Sequence, residues 1–211
     1  GSAFIIPAQQ HYLKGIDSAD SYVFNPHKWL MTNFDCSCFY IKDTKHLVNT
    51  YTHTPDYINA RPAEQVNNYK DWGLPLGRRF RALKLWFVMR SFGLKGLQHI
   101  IQRHLDIAQH FYEKISNTAH WEIMAPFAMN VICLRYHPEH IQDAEQLNKL
   151  NEEILHAINK EGSFYLTGTR LNNNYIIRVV PGQQYVTTKH TDKLFTLLEE
   201  TAKKISAQNG W

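Results

Sequence analysis

Cysteine is scarce in this chain. There are three, Cys36, Cys38 and Cys133, an odd number that does not suggest a disulfide framework. Cys36 and Cys38 form one Cys-x-Cys pair on an expected strand. No second pair stands at ligand spacing, so the pattern favours reduced core thiols over a metal site. Reduced thiols go with a cytoplasmic location. Charge of one sign is also in short supply. The formal net charge is +4, without a long run of like charge, which argues against a dedicated nucleic-acid surface. No apolar stretch approaches the roughly 20 residues needed to span a bilayer. The opening Gly1-Ser2-Ala3-Phe4 carries neither a charged leader nor an initiating Met. Internal repeats and low-complexity tracts are absent.

What is present is enough to build a core. Of the 211 residues, 44% are hydrophobic and 13% aromatic, which suits one large domain or two small ones. Residues 1–19 begin with the apolar Phe4-Ile5-Ile6 and continue as a polar helical stretch to Gly15. Tyr22-Val23-Phe24 reads as a strand that stops at Asn25-Pro26, because proline lacks a donor and pushes its predecessor into an extended conformation. Cys36 to Ile41 reads as a second strand, followed by a polar turn from Lys42 to Lys45. Residues 46–75 show little periodicity and read as a long mobile loop. Loops of this length are commonly lids or binding segments, the alternative being a disordered connector.

From Arg78 a helix is expected, with Phe80, Leu83 and Phe87 on one face, widened by Trp86, Val88 and Met89. Arg78, Arg81 and Lys84 form a basic stripe beside it. Gly93 should end this helix. A second one carries Leu97, Ile100, Ile101, Leu105, Ala108, Phe111, Tyr112 and Ile115 on its inner face. Strands are expected at 121–124, 130–136, 163–166 and 175–180, with Asn172-Asn173-Asn174 as a turn. Asp143 can cap a helix whose inner side is Leu147, Leu150, Ile154 and Ile158. Thr187 or Thr188 caps the last helix, with Leu194, Leu197, Leu198, Ala202 and Ile205 inward. The class is therefore α/β. A segment at 1–83 supplies strands to a larger sheet, and a small α+β domain occupies 84–211. Arg178, in an apolar strand, reads as a paired structural charge.

The chemistry concentrates at Lys28. It follows a strand end and stands between Phe24 and Trp29, beside His27. A lysine held among apolar groups loses its proton more readily, because desolvation disfavours the ammonium form. A neutral amine next to an imidazole suits a Schiff-base nucleophile. A solitary lysine is ordinarily just a solvated surface charge; the surrounding string is what raises Lys28 above that reading.

That string is Asp20-Ser21-x-x-x-Asn25-Pro26-His27-Lys28-Trp29, followed by Asn33-Phe34-Asp35-Cys36-Ser37. It resembles the lysine segment of the group II pyridoxal 5'-phosphate (PLP) decarboxylases, and within them the aromatic-L-amino-acid decarboxylases. The resemblance implies the C-terminal part of a fold-type I PLP-dependent transferase fold, roughly the last two fifths of a longer enzyme. The family's aspartate for the pyridinium nitrogen would lie just before Gly1. By position, Lys28 forms the Schiff base, and Asn25 and His27 contact the cofactor phosphate; both side chains can donate to an anion. Tyr57 falls where the family carries a loop tyrosine that protonates Cα, and Tyr51 is the nearest competitor for that place. Relatives with phenylalanine there give aldehydes instead. Phe34, Leu76 and Gly77 match positions lining the substrate pocket. The family's loops reach into the neighbouring subunit's site, which implies a homodimer.

The expected activity is PLP-dependent decarboxylation of an aromatic amino acid to its amine and CO2. Aldehyde synthesis and decarboxylation of a glutamate- or histidine-type substrate are the near alternatives. A non-catalytic dimerisation domain is the distant one.

Overall fold

The computed structural model describes residues 1–52 and 67–208, and the chain divides into two compact units, Gly1–Gln98 and His99–Trp211. That division falls later than the 83–84 boundary expected from pattern.

In the first unit, the segment before Lys28 forms 3₁₀ turns, Ser2–Ile5 and Pro7–Leu13, that end before Gly15 at φ 90°. Strand β1 (Ser21–Phe24) pairs antiparallel with β2 (Cys38–Ile41), Phe24 standing opposite Cys38. Pro26 opens a single-turn helix, α1 (Pro26–Trp29), where a missing N–H costs nothing. Cys36 lies outside β2, so the expected strand begins two residues late. Its backbone is occupied instead by His27, whose N–H donates to the Cys36 carbonyl at 3.3 Å.

Part of the expected loop is helical. Helix α2 (Thr44–Tyr51) is capped by Asp43, whose carboxylate accepts from the Lys45 N–H, and Tyr69–Trp72 forms a further 3₁₀ turn. The cap and one short helix were masked in the sequence by the threonines and asparagines around them.

Helix α3 (Arg81–Ser116) starts three residues after the expected position and breaks at Gly93, at φ 62° and ψ 175°. No atom lies within 4 Å of where a Gly93 Cβ would sit, so the need for glycine is conformational. Before this break the apolar face is real but uncovered: Phe80 is 75%, Trp86 53% and Phe87 57% exposed. The β1–β2 ladder likewise exposes Val23, Phe39 and Tyr40.

The second unit has a different balance. Strands β3 (Trp121–Ile123), β4 (Ile132–Tyr136), β5 (Thr167–Leu171) and β6 (Asn174–Val179) form an antiparallel sheet in the order β3-β4-β6-β5. Helices α4 (Ala144–Glu161) and α5 (Thr188–Gln208) complete it. Leu150, Ile154 and Ile158 of α4 meet Leu134, Ile177 and Leu198 in one fully buried core. Asp143 caps α4 through the Gln146 N–H at 2.8 Å, as its sequence position predicts. At the start of α5, Thr187 and His190 bond reciprocally, His190 N–H to the Thr187 carbonyl and Thr187 N–H to the His190 ring.

Two asparagines tie α4 to the strand ends. Asn151 accepts from the Tyr136 N–H at 2.7 Å and donates to its carbonyl at 2.9 Å. Asn148 accepts from the Tyr175 N–H at 2.6 Å and donates to the Asn173 carbonyl at 3.0 Å. The β5–β6 turn is Asn172-Asn173, with φ of 49° and 66°, the left-handed pair that a two-residue hairpin requires.

The strand expected at 163–166 does not form. Asn159 of α4 takes both backbone groups of Leu166, accepting from its N–H and donating to its carbonyl. The strand comes next, at Thr167, as an exposed polar edge without the apolar alternation that marks a buried strand. Among the described residues Arg178 has no ion-pair partner, contrary to the expected pairing. Arg135 has one: it grips Glu122, which also holds the His137 ring.

Burial pushes the Glu122 carboxyl up, but the hydrogen bonds and charges of His137 and Arg135 outweigh it and leave it below its usual range. A depressed carboxylate contributes stability above its unfolded value of about 4.3, and that contribution is lost as pH falls through the folded value. Glu122→Gln should therefore lower stability to denaturant at pH 7, with the gap to wild type closing as pH falls below 4. Leu134→Ala, at a site with no exposure, should cost about 3 kcal/mol at all pH values. Urea unfolding followed across pH checks both.

Candidate active site

The turn after β1 sets the course of the backbone around Lys28. Asn25 is extended, at φ −114° and ψ 94°, and Pro26 fixes the first helical φ. The Lys28 N–H then donates to the Asn25 carbonyl at 3.0 Å, and Thr32 N–H to that of Pro26 at 3.2 Å. One turn of helix places Pro26 and Leu30 inward and Lys28 outward. Lys28 is exposed, on a helical turn and not at a bare strand tip. The apolar enclosure expected around it is not supplied by the described residues. Among them Lys28 also has no ion-pair partner, so its amine is unengaged.

The neighbouring donors are held from behind by the approach to β2. Nδ1 of His27 lies 3.0 Å from the Cys36 N and 2.7 Å from its O. Nε2 carries a proton where Nδ1 accepts from that N–H and where the ring is charged; in the neutral tautomer whose Nδ1–H donates to the carbonyl, Nε2 is an acceptor. Phe34 meets the imidazole edge-on, centroids 4.9 Å apart, and is itself 83% exposed. The Ser37 hydroxyl donates to Asn25 Oδ1 at 2.6 Å.

Asp35 binds this loop to the start of α3. It accepts from Arg81 Nε at 2.9 Å, with Lys84 Nζ 3.9 Å away. The Arg81 hydrogen bond comes first among the causes that hold the Asp35 carboxyl below its ordinary range. Sequence reasoning saw the basic stripe and the Asp35 motif separately. The joining signal is complementary charge: two of the stripe's three cations reach Asp35, while Arg78 donates to the Tyr69 carbonyl instead.

Of the residues expected at the site, His27 and Phe34 are in ring contact, and Lys28 is joined to Asn25 through its backbone N–H. Leu76 is 73% exposed and Gly77 is exposed beside it; no hydrogen bond or ring contact among the described residues joins either to Lys28. Tyr57 lies outside the described residues. Among the described residues no group of three His, Cys, Asp or Glu is arranged to hold a metal. No helix there is long and apolar enough to cross a membrane.

A free primary amine beside an imidazole and an amide fits an aldehyde-bearing anion. The amine can condense with the aldehyde; the imidazole Nε2–H and the Asn25 amide N–H groups can donate to the anion. Residues 1–137 match the family model described as the pyridoxal-dependent decarboxylase conserved domain. The chain belongs to that family.

Its relatives sharpen the placement. Tryptophan decarboxylase 2 of Oryza sativa subsp. japonica is 36% identical over 207 residues, covering 97% of this chain and 41% of its own length. Phenylacetaldehyde synthase of Petunia hybrida is 36% identical over 210 residues, covering 96% of this chain and 42% of its own. The crystal structure of Oryza sativa TDC with PLP and tryptamine matches at TM-score 0.88 and 30% identity, over 97% of this chain and 43% of that one. The chain therefore spans about two fifths of the length of these decarboxylase-family relatives, and its mixed helix–sheet architecture is that of the corresponding portion of the fold-type I fold.

Arg81→Ala should raise the titration midpoint of Asp35 towards the ordinary carboxylate range, while Lys84→Ala, at the longer distance, should raise it less. NMR titration of the Asp35 carboxyl carbon measures both.

Proposed function

We propose that this chain is the C-terminal, lysine-bearing portion of a PLP-dependent decarboxylase that converts an aromatic L-amino acid to its amine and CO2. The observation that carries the reading is the unengaged Lys28 amine flanked by the held His27 and Asn25. PLP, when bound, supplies the electron sink for the electrons of the broken Cα–carboxylate bond.

The chain's own residues do the rest. Lys28 provides the amine that anchors the cofactor and later takes part in product release. His27, through Nε2–H, and Asn25, through its amide N–H groups, hold the phosphate and fix the cofactor's place relative to Lys28. Phe34 offers an aromatic wall to a ring substrate, with Leu76 and Gly77 completing that wall in the assembled enzyme. Tyr57 delivers the proton to Cα.

The exposed apolar surface of the first unit supports an assembled context. Phe80, Trp86, Phe87, Val23 and Phe39 are more than half exposed, and uncovered apolar patches of this kind mark surfaces meant for burial. In this reading they pack against the rest of the protein and a second subunit, giving a homodimer with shared active sites. The reduced thiols fit a cytoplasmic enzyme.

A second reading has a specific observation behind it: an aldehyde synthase from Petunia stands at the same 36% identity as the rice tryptophan decarboxylase. Tyr57 supports decarboxylation, since the resemblance associates phenylalanine at that place with aldehyde formation. The two readings differ in product, amine against aldehyde with peroxide.

Borohydride reduction of the holoenzyme followed by mass mapping should leave a pyridoxyl group on Lys28, and Lys28→Ala should abolish both the adduct and turnover. A label on another side chain refutes the assigned role. Tyr57→Phe should shift product from amine towards aldehyde, read by chromatography of the reaction mixture.

A further inference from the structure

Asn25 can serve an anion only if its amide faces the right way. Oxygen and nitrogen of that group are related by a half-turn, and the turn that carries Asn25 does not choose between them: its side chain makes no capping bond to α1. The orientation present is the one in which the amide oxygen meets Ser37, just before β2. The Ser37 hydroxyl donates to Oδ1 at 2.6 Å, at the short end for O–H···O bonds. With the oxygen engaged, Nδ2 and its two protons are directed to the other side of the amide. Immediately before Ser37, the Cys36 backbone lies 3.0 Å (N) and 2.7 Å (O) from His27 Nδ1 and leaves Nε2 outward. Two consecutive residues thus orient two donors that are themselves two apart.

We propose that Ser37 is a positioning residue for cofactor binding: its hydroxyl locks the Asn25 amide with the N–H edge presented to the cofactor phosphate, in register with the His27 edge fixed by Cys36. The proposal rests on the reading of Asn25 as a phosphate contact and adds how that contact is preorganised. Without the hydroxyl, the amide samples both orientations, and the one presenting Oδ1 repels the phosphate.

The test compares two probes, PLP and pyridoxal, which differ only in the phosphate. In the apo form of the full-length enzyme, Ser37→Ala should weaken PLP binding about tenfold, the scale of one hydrogen bond to a charged group. It should leave pyridoxal binding unchanged, and Ser37→Thr should restore PLP binding. In an Asn25→Ala background, Ser37→Ala should have no further effect. Ser37 is exposed, and matching thermal melts of the apo variants confirm that each is folded. Equal losses for PLP and pyridoxal, or no loss for either, overturn the proposal while Asn25→Ala still weakens PLP alone. If Asn25→Ala leaves PLP affinity intact, the phosphate-contact reading itself fails.

Discussion

Cys36 has its backbone N–H and C=O within reach of a histidine ring rather than a neighbouring strand, and the shape of the lysine turn depends on that exchange. A buried peptide group that leaves a ladder needs another partner or incurs the cost of an unmet hydrogen bond. His27 is that partner. Since it sits in the middle of α1, the exchange fixes the one-turn helix against the start of β2. Lys28 follows directly and inherits its outward direction from the turn. Asp35, one residue earlier, extends the same attachment to α3 through Arg81. Local sequence, ladder termination and site geometry are thus linked through a stretch of about a dozen residues.

The second unit was largely readable from pattern. Leu147, Leu150, Ile154 and Ile158 repeat at helical spacing, and all are buried. The Asn-rich turn and the Asp143 cap are local chemistry, which a sequence displays directly. Two of the misses share one physical cause. Leu166 and Cys36 have backbone groups met by side chains 7 and 9 residues away, and hydrophobic periodicity carries no record of such bonds. Thr167–Leu171 escaped for the complementary reason, as an edge strand exposed along most of its length. Around Lys28 the residue types suggested the chemistry, but the described residues do not supply the expected apolar enclosure. Aromatic neighbours in sequence, Phe24 and Trp29, do not cover a side chain that a helical turn directs outward.

The two units differ in how they treat apolar surface. In the second, strands and helices bury nearly every large aliphatic side chain. In the first, an amphipathic helix and a two-stranded ladder leave theirs open, and a two-stranded sheet has little stability of its own. A lysine turn mounted on such a scaffold has little packing of its own to hold it.

The asparagines of α4 carry a further implication. Apolar stripes are forgiving: sliding a helix by one turn replaces one leucine or isoleucine with another at modest cost. Asn148 and Asn151 remove that freedom, because each amide matches a particular pair of peptide groups at the strand ends, and a slid helix would leave both buried amides without partners. These two side chains act as a key whose teeth admit a single seating, so the unit has one native alignment where greasy contacts alone would tolerate several.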